Sequence, residues 1–575
     1  MAIRIMLQEC LLKMNSFRLQ ILMAFAVIAF SLPVCTFAAE EAEKENKVTM
    51  MIIGADRLLE DVEYMVQDLA SRNKIWKEKV EENIELFLEG IDREQPVRID
   101  VFFDEKSGEF YRPFFPITDV KDFRNNVEAF GVTNKPIARD VYSLGDAFEG
   151  FMKVAKDYAL FAPKDQRATI DPNVPEIQAP IEPLTKADYD AGVIISHDKA
   201  GMEARRKSMA EVRKNIISGI KKKSTESVEE FEFRKLLAVN RIDNFERLYS
   251  EVKYLEAGWV TEPSKKTGVG TLILSGIEGT DLAGTIAAIP ELKTSFHTIP
   301  ETKDFVASGR MLSPISAANQ EQIKATIEAY QPVAEIRIDR KEDLNDKQKK
   351  AAKDAIAKLI PILEDGLTLG SIDGFVEFRR IEKDNSNSLH DMVAGMNAKS
   401  GRDIEEVIKM LPEIRDTYKT KMDTATVGDF HFHEFVLEDN VPPMFKSLFG
   451  SPCHFHIATS EKMVLFSIGE KSKPWLEEMV DLVIKTEEQK APENFFTFKG
   501  HFGPFAKALS ARNPGEDFVE LRKAIIEAFS EKYTDDFIEI YDKHADGQIQ
   551  GTMTVEPGLL RLLGILVANF ADENL

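Results

Sequence analysis

The spacing of apolar residues changes period early in the chain, and that change dictates a mixed fold. From Ala55 to Glu89, two runs of residues recur at the spacing that lines one helix face. The first is Leu58, Leu59, Val62, Met65, Val66 and Leu69; the second is Trp76, Val80, Ile84, Phe87 and Leu88. Gly90 stands where that helix should stop. Beyond it, Val97, Ile99, Val101 and Phe103 alternate with Arg98, Asp100 and Phe102, the two-residue period of a half-buried strand. The expected class is therefore α+β, with antiparallel sheets packed against long helices.

The same reading continues along the chain. Phe114-Phe115-Pro116-Ile117 predicts a second strand, and Thr118 the N-cap of a helix holding Val120, Phe123 and Val127. Five prolines from Pro163 to Pro183 mark an extended connection. Val193-Ile194-Ile195 reads as a buried strand, followed by charged helices over Lys199–Ile220 and Val228–Tyr249. One pattern then occurs twice. Leu255, Ala257 and Trp259 alternate, a turn holds Pro263 and Gly268, Thr271–Leu274 returns, and an apolar helix covers Leu282–Ala288. Near the C-terminus, Phe537–Tyr541, the turn Asp546-Gly547, the alternating Ile549, Gly551, Met553 and Val555, and a helix over Leu559–Phe570 repeat that order. The expectation is two related modules, 47–310 and 311–575.

The N-terminus reads as a removable export signal over residues 1–38. Lys13 and Arg18 precede an unbroken apolar run from Ile21 to Phe30, extended by Leu32 and Val34. Thr36-Phe37-Ala38 then offers small residues where a signal peptidase reads, and Glu40, Glu41 and Glu43 open a polar stretch. A membrane span needs ~20 apolar residues, and this run is shorter and broken by Pro33. A periplasmic or secreted protein, cleaved near Ala38, is expected, with no transmembrane segment in the mature chain; either Met1 or Met14 serves as the start.

Charge narrows the partners. The 575-residue chain carries a formal net charge of −23, which disfavours phosphate-rich partners such as nucleic acid, because these need a basic footprint. The 38 Phe far outnumber the 11 Tyr and 3 Trp, which favours packed interiors over wet aromatic surfaces. Removal of the signal takes Cys10 and Cys35 and leaves Cys453 without an internal disulfide partner.

Phe115-Pro116-Ile117-Thr118-Asp119-Val120, Phe449-Gly450, Val464–Gly469 and Glu556-Pro557-Gly558-Leu559-Leu560-Arg561 carry a resemblance. The chain resembles large uncharacterised exported proteins of planctomycete-type bacteria, built of repeated α+β units with antiparallel sheets. That resemblance implies an envelope protein, and brings no activity or catalytic residue with it.

Common catalytic fingerprints are absent from the sequence: there is no G-x-S-x-G, H-E-x-x-H, phosphate-binding loop or dinucleotide motif. The chemistry-bearing concentration is histidine. Of nine His, five fall between 431 and 501: His431, His433, His454, His456 and His501. Residues two apart in a strand share a face, so His431 and His433 project together, as do His454 and His456. If the two segments pair, four imidazoles could converge on Zn or Cu. The bland alternative is two amphipathic strands with unorganised His faces. Cys453 reads as a buried small hydrophobe, with His454 on the opposite face. The basic residues of Met202–Lys223 read as a solvated helix face rather than a membrane-seeking one. The leading expectation is a non-enzymatic envelope protein that binds an unknown protein or small ligand or plays a structural role, with no cofactor. A His-cluster metalloprotein and a carrier of an apolar ligand are the alternatives.

Overall fold

The computed structural model describes residues 47–52, 54–104, 108–164, 184, 186–301, 305–381, 390–438, 441–486, 488–510, 519–530 and 535–574. The segment read as an export signal, with Cys10 and Cys35, and most of the proline-rich stretch lie outside the described residues.

The described part of the chain begins with β1 (Lys47–Ile52), a helical hairpin of α1 (55–69) and α2 (73–87), β2 (Val97–Asp104), β3 (Gly108–Pro116) and α3 (Val120–Ala129). Four strands follow: β4 (Val132–Ala138), β5 (Val141–Asp146), β6 (Gly150–Ala155) and β7 (Tyr158–Pro163). Next come β8 (Ala191–Ser196), α4 (Met202–Gly219), α5 (Val228–Glu251), β9 (Val252–Glu262), β10 (Thr267–Gly276) and α6 (Asp281–Ala288). A two-residue strand, β11 (Lys293–Thr294), precedes β12 (Phe305–Pro314), α7 (Ala317–Asp339), α8 (Asp346–Leu367), β13 (Ser371–Arg380), β14 (His390–Asn397) and α9 (Ile404–Ile414). Then come β15 (Tyr418–Val427), β16 (Phe430–Leu437), α10 (Pro443–Phe449), β17 (Cys453–Thr459), β18 (Met463–Ile468) and α11 (Ser472–Lys485). After the short β19 (Gln489–Lys490), the chain ends with β20 (Asn494–His501), α12 (Phe502–Ser510), α13 (Val519–Ala528), β21 (Phe537–Ala545), β22 (Gln548–Val555) and α14 (Pro557–Asn574).

Local chemistry explains the boundaries. The helical run expected over Ala55–Glu89 breaks in two, because Ser71 takes a left-handed turn (φ 57°) between its two apolar stretches. The N-cap of α3 is Asp119, one residue later than expected: its carboxylate is short enough to accept from the backbone N–H groups of Lys121 and Asp122. Ser227 and Glu230 form a capping box that starts α5. Asp546 and Gly547 take φ values of 51° and 73°, the geometry of a tight hairpin turn.

Among the described residues, twenty strands form one antiparallel sheet, and β11 pairs with β19 separately. Edge to edge, the long sheet runs β4-β5-β6-β7-β3-β2-β1-β8-β9-β10, then β22-β21-β20-β12-β13-β14-β18-β17-β16-β15. Number the long strands of each half in chain order. From either edge inward, the sequence is then fourth, fifth, sixth, seventh, third, second, first, eighth, ninth, tenth. The two halves meet where β10 pairs with β22. Most helices occupy matching slots: a pair after the first strand, one after the third, a pair after the eighth and one after the tenth, while α10 and α11 have no counterpart among the described residues of the first half. Residues 310 and 311, the expected division between modules, are neighbours inside β12, so a cut there would split a strand.

Apolar side chains bury both faces of the sheet. On one face, Trp259, Leu272, Ile538, Met553 and Val555 pack against Leu560 of α14 and against Tyr64, Met65 and Leu69 of α1. The first and last of the described helices thus touch, and a Cβ at Gly564 would lie 2.1 Å from the Met65 carbonyl oxygen. Only glycine permits that approach. On the other face, Phe375, Val393, Leu465, Ala458 and Phe432 pack under Trp475, Leu476, Met479 and Val480 of α11. Among the described residues, no helix is long and apolar enough to cross a membrane.

Candidate functional site

β16 and β17 do pair, but their register separates the four histidines expected at one centre. His433 lies opposite Ile457, and Glu434 opposite His456. Side chains alternate across a strand, so this odd offset puts His431 and His433 on one face and His454 and His456 on the other. Leu437, on the His433 side, packs against the cluster around Cys453 and Phe378, whereas Phe432 joins the cluster under α11. The two pairs therefore serve two different environments.

On the α11 side, the His454 and His456 rings stack with centroids 6.3 Å apart. His454 Nδ1 is 3.7 Å from Glu434 Oε1. Lys421 binds Glu434 at 2.7 Å and holds its carboxyl below the usual range. Burial pushes His456 down to about 4, so it stays neutral at physiological pH.

The opposite face holds a denser cluster. Pairing of β15 with β16 jumps from Lys421↔Glu434 to Ala425↔Phe432, so residues 422–424 bulge opposite His433. Within the bulge, Asp423 takes a left-handed conformation (φ 50°), and its backbone N–H donates to His433 Nδ1 at 3.2 Å. That bond fixes the tautomer: Nδ1 accepts, so Nε2 carries the proton. His433 Nε2 is 3.0 Å from Thr459 Oγ1, and Thr459 in turn donates to Glu405 Oε1 at 2.8 Å. Glu405 sits in the first turn of α9. His431 Nδ1 lies 3.1 Å from Asp423 Oδ1 and 3.7 Å from Glu405 Oε1, and His433 Nε2 lies 3.5 Å from that same oxygen. Burial lowers the His433 pKa, against the upward pull of Glu405. The inner end is dry and the outer end wet, since the His433 side chain is 0% exposed and that of Asp423 59%.

His501 is remote from both pairs in the pairing order. Its Nδ1 bonds Asp536 Oδ1 at 2.7 Å, and its ring packs against those of Phe305 and Phe537. Asp536 also accepts from the Gly503 backbone N–H. Cys453 is fully buried, and burial pushes its thiol up to about 11, which leaves little thiolate for nucleophilic chemistry at neutral pH.

Sequence reasoning missed Glu405 and Asp423. Glu405 lies in an acidic pair that reads as a solvated helix turn, and the bulge that turns Asp423 toward His431 leaves no mark in the apolar pattern. It also missed the buried carboxyls Asp61 and Asp190, which pack α1 onto β8 and β9. Arg57 forms an ion pair with Asp190, and the Thr261 backbone N–H donates to it. Desolvation and the neighbouring Asp190 charge push Asp61 up to about 8, so the pair holds a proton at neutral pH.

A cleft of about 810 Å³ between α7, α8 and α9 is lined by charged side chains, including Glu321, Lys324, Lys358, Asp365 and Glu406. Its chemistry differs from the Phe-walled cavity that an apolar carrier calls for. No family model matches this chain, and no curated protein or solved structure was found to be similar to it.

Proposed function

We propose that the protein is an exported scaffold of two related α+β units, with a binding or structural role in the cell envelope. The observation that carries this reading is the strand order, which runs alike from both edges and meets at β10–β22. Helix pairs and single helices in matching slots support it. So do two buried carboxylates at matching places. Asp100 in β2 lies opposite Thr49 in β1 and accepts its hydroxyl at 2.8 Å. Glu377 in β13 lies opposite Ser308 in β12 and accepts its hydroxyl at 2.8 Å. Each carboxylate also binds arginine: Arg98 for Asp100 and Arg310 for Glu377.

One antiparallel sheet runs through both units, which suits display of surface more than enclosure of substrate. The apolar run at Ile21–Phe30 and the small residues near Ala38 support export, as does the resemblance to exported planctomycete-type proteins. Mass spectrometry of protein recovered from its source cells tests the export step: the expected N-terminus is Ala39, and an intact Met1 or Met14 on cytosolic protein sinks it. Calorimetry tests the scaffold: strands of both units share one sheet, so one cooperative transition is expected. Two well-separated transitions would show that the units do not act as one body.

A further inference from the structure

We propose that the corner formed by α9, β15 and β16 binds one divalent transition-metal ion through His431 Nδ1 and the carboxylates of Glu405 and Asp423. The inference goes beyond the scaffold reading and rests on different residues. His431 Nδ1 lies 3.1 Å from Asp423 Oδ1 and 3.7 Å from Glu405 Oε1. Ligands held ~2.0–2.1 Å from a tetrahedral ion stand roughly 3.3–3.5 Å from each other, so the two separations from His431 bracket the spacing a metal imposes, and one atom each of Glu405 and Asp423 lie within 4.8 Å of one another. To bind, His431 need only carry its proton on Nε2 and turn the Nδ1 lone pair to the ion.

His433 plays another part. With Nδ1 occupied by the Asp423 N–H, its proton is on Nε2 and points to Thr459, which donates to Glu405. It is therefore an outer support that orients the Glu405 carboxylate, the usual arrangement around a metal-bound group. The same hydrogen bond ties His433 to the bulge that turns Asp423 inward. One imidazole with two carboxylates suits zinc or manganese better than a soft ion such as Cu(I). The side chains of His431 and Asp423 are 29% and 59% exposed, which leaves room for water to complete the coordination shell. Lys409, the nearby cation of α9, donates to Glu406 at 2.8 Å. It tempers the local negative charge while its hydrogen bond goes to another residue.

Zinc titration of the chelator-treated full chain, read by calorimetry, tests the site. One equivalent of saturable binding is expected. His431→Ala and Glu405→Gln should each weaken it about tenfold or more, and Thr459→Val by roughly 10–100-fold as a lost outer support. Asp423→Asn, at the most exposed donor, should weaken binding with the circular-dichroism spectrum unchanged, which separates ligand loss from misfolding. Cobalt in place of zinc should give visible absorption that His431→Ala abolishes. His454→Ala, on the opposite face, should leave zinc affinity within about twofold, as a residue outside the site. The proposal is overturned if zinc fails to saturate at one equivalent, if binding survives both His431→Ala and Glu405→Gln, or if His454→Ala removes it.

Discussion

The two outer ends of the sheet occupy the same slot in each half and spend it differently. At one end, α3 packs on β4 and β5 through an apolar core: Phe123, Val132 and Leu144 join Met152 and Ala159. Its main polar contact is neutral on one side, with Arg124 Nε donating to Asn134 Oδ1 at 2.6 Å and Asn134 Nδ2 returning a bond to the Arg124 carbonyl. At the other end, α9 meets β15, β16 and β17 through Glu405, Thr459, His433, His431 and Asp423. Where one end holds a guanidinium, the other gathers two carboxylates and two imidazoles. Apolar packing pins the helix to the outer hairpin at the first end, whereas at the second end a titratable cluster occupies the same place in the strand order.

The strongest way to break that comparison is to remove the packing. Phe123 is 4% exposed and meets the Phe161 ring edge-on at 6.1 Å. Phe123→Ala should cost about 3–5 kcal/mol in urea unfolding, because its cavity cannot collapse. Glu405→Gln at the other end keeps shape and one acceptor, and should cost under about 1.5 kcal/mol. A larger loss from Glu405→Gln would mean that the polar cluster is the structural pin, and the contrast would fail.

Acid sharpens the comparison next. Residues 132–163 contain no histidine, whereas β16 and β17 carry four. Burial takes His456 from an ordinary 6.5 down to about 4 in the folded chain. Between those values the unfolded chain binds the extra proton, so the contribution of His456 to stability is complete above about pH 6.5 and drains as pH falls toward 4. Linkage puts that loss at about 2–3 kcal/mol by pH 4.5. His456→Gln should flatten the decline in urea midpoint between pH 7 and 4.5. An unchanged slope would show that the acid response comes from elsewhere in the sheet.

A finer test addresses the main polar contact of the first end. Asn134 is 4% exposed, and both of its amide atoms are bonded to Arg124. Asn134→Ala strands those partners and should cost about 1–3 kcal/mol, with no change in acid response.

Much of this architecture was written in local pattern, and the site was not. The alternation from Val97, the charged helix from Val228 and the Asp546-Gly547 turn are each set by near neighbours, and each formed where the pattern put it. The meeting of β10 with β22 joins residues nearly three hundred positions apart, which periodicity does not encode. Register decides the histidines. Had His433 stood opposite His456 instead of Ile457, all four rings would share a face. That one-residue offset follows from Phe432 and Ala458 both needing the core under α11, a tertiary demand invisible within either strand. The bulge at 422–424 is equally hidden, because it answers to β16 rather than to its own sequence.

The two edges also solve the same hazard by different means, and this gives the smallest effect. An open edge strand offers unpaired N–H and C=O groups to another chain. Edge strand β4 carries Lys135 and Pro136, and its Ile137 is 47% exposed. Edge strand β15 carries Lys419 and Lys421 and the bulge that interrupts its ladder. Proline removes a donor at β4, where the register also shifts between Pro136 and Ala138, and the longer bulge displaces several at β15. Pro136→Thr should leave unfolding stability within about 0.5 kcal/mol, as an exposed change, yet increase concentration-dependent association in sedimentation velocity. Lys421→Thr should associate less, because the bulge still breaks the row, although it also loses the 2.7 Å contact with Glu434, worth about 0–1 kcal/mol at this exposed site. If both variants stay monomeric at the same concentrations, the helices flanking the edges already shield them, and the proline answers to the turn at Asp140 (φ 55°) rather than to aggregation.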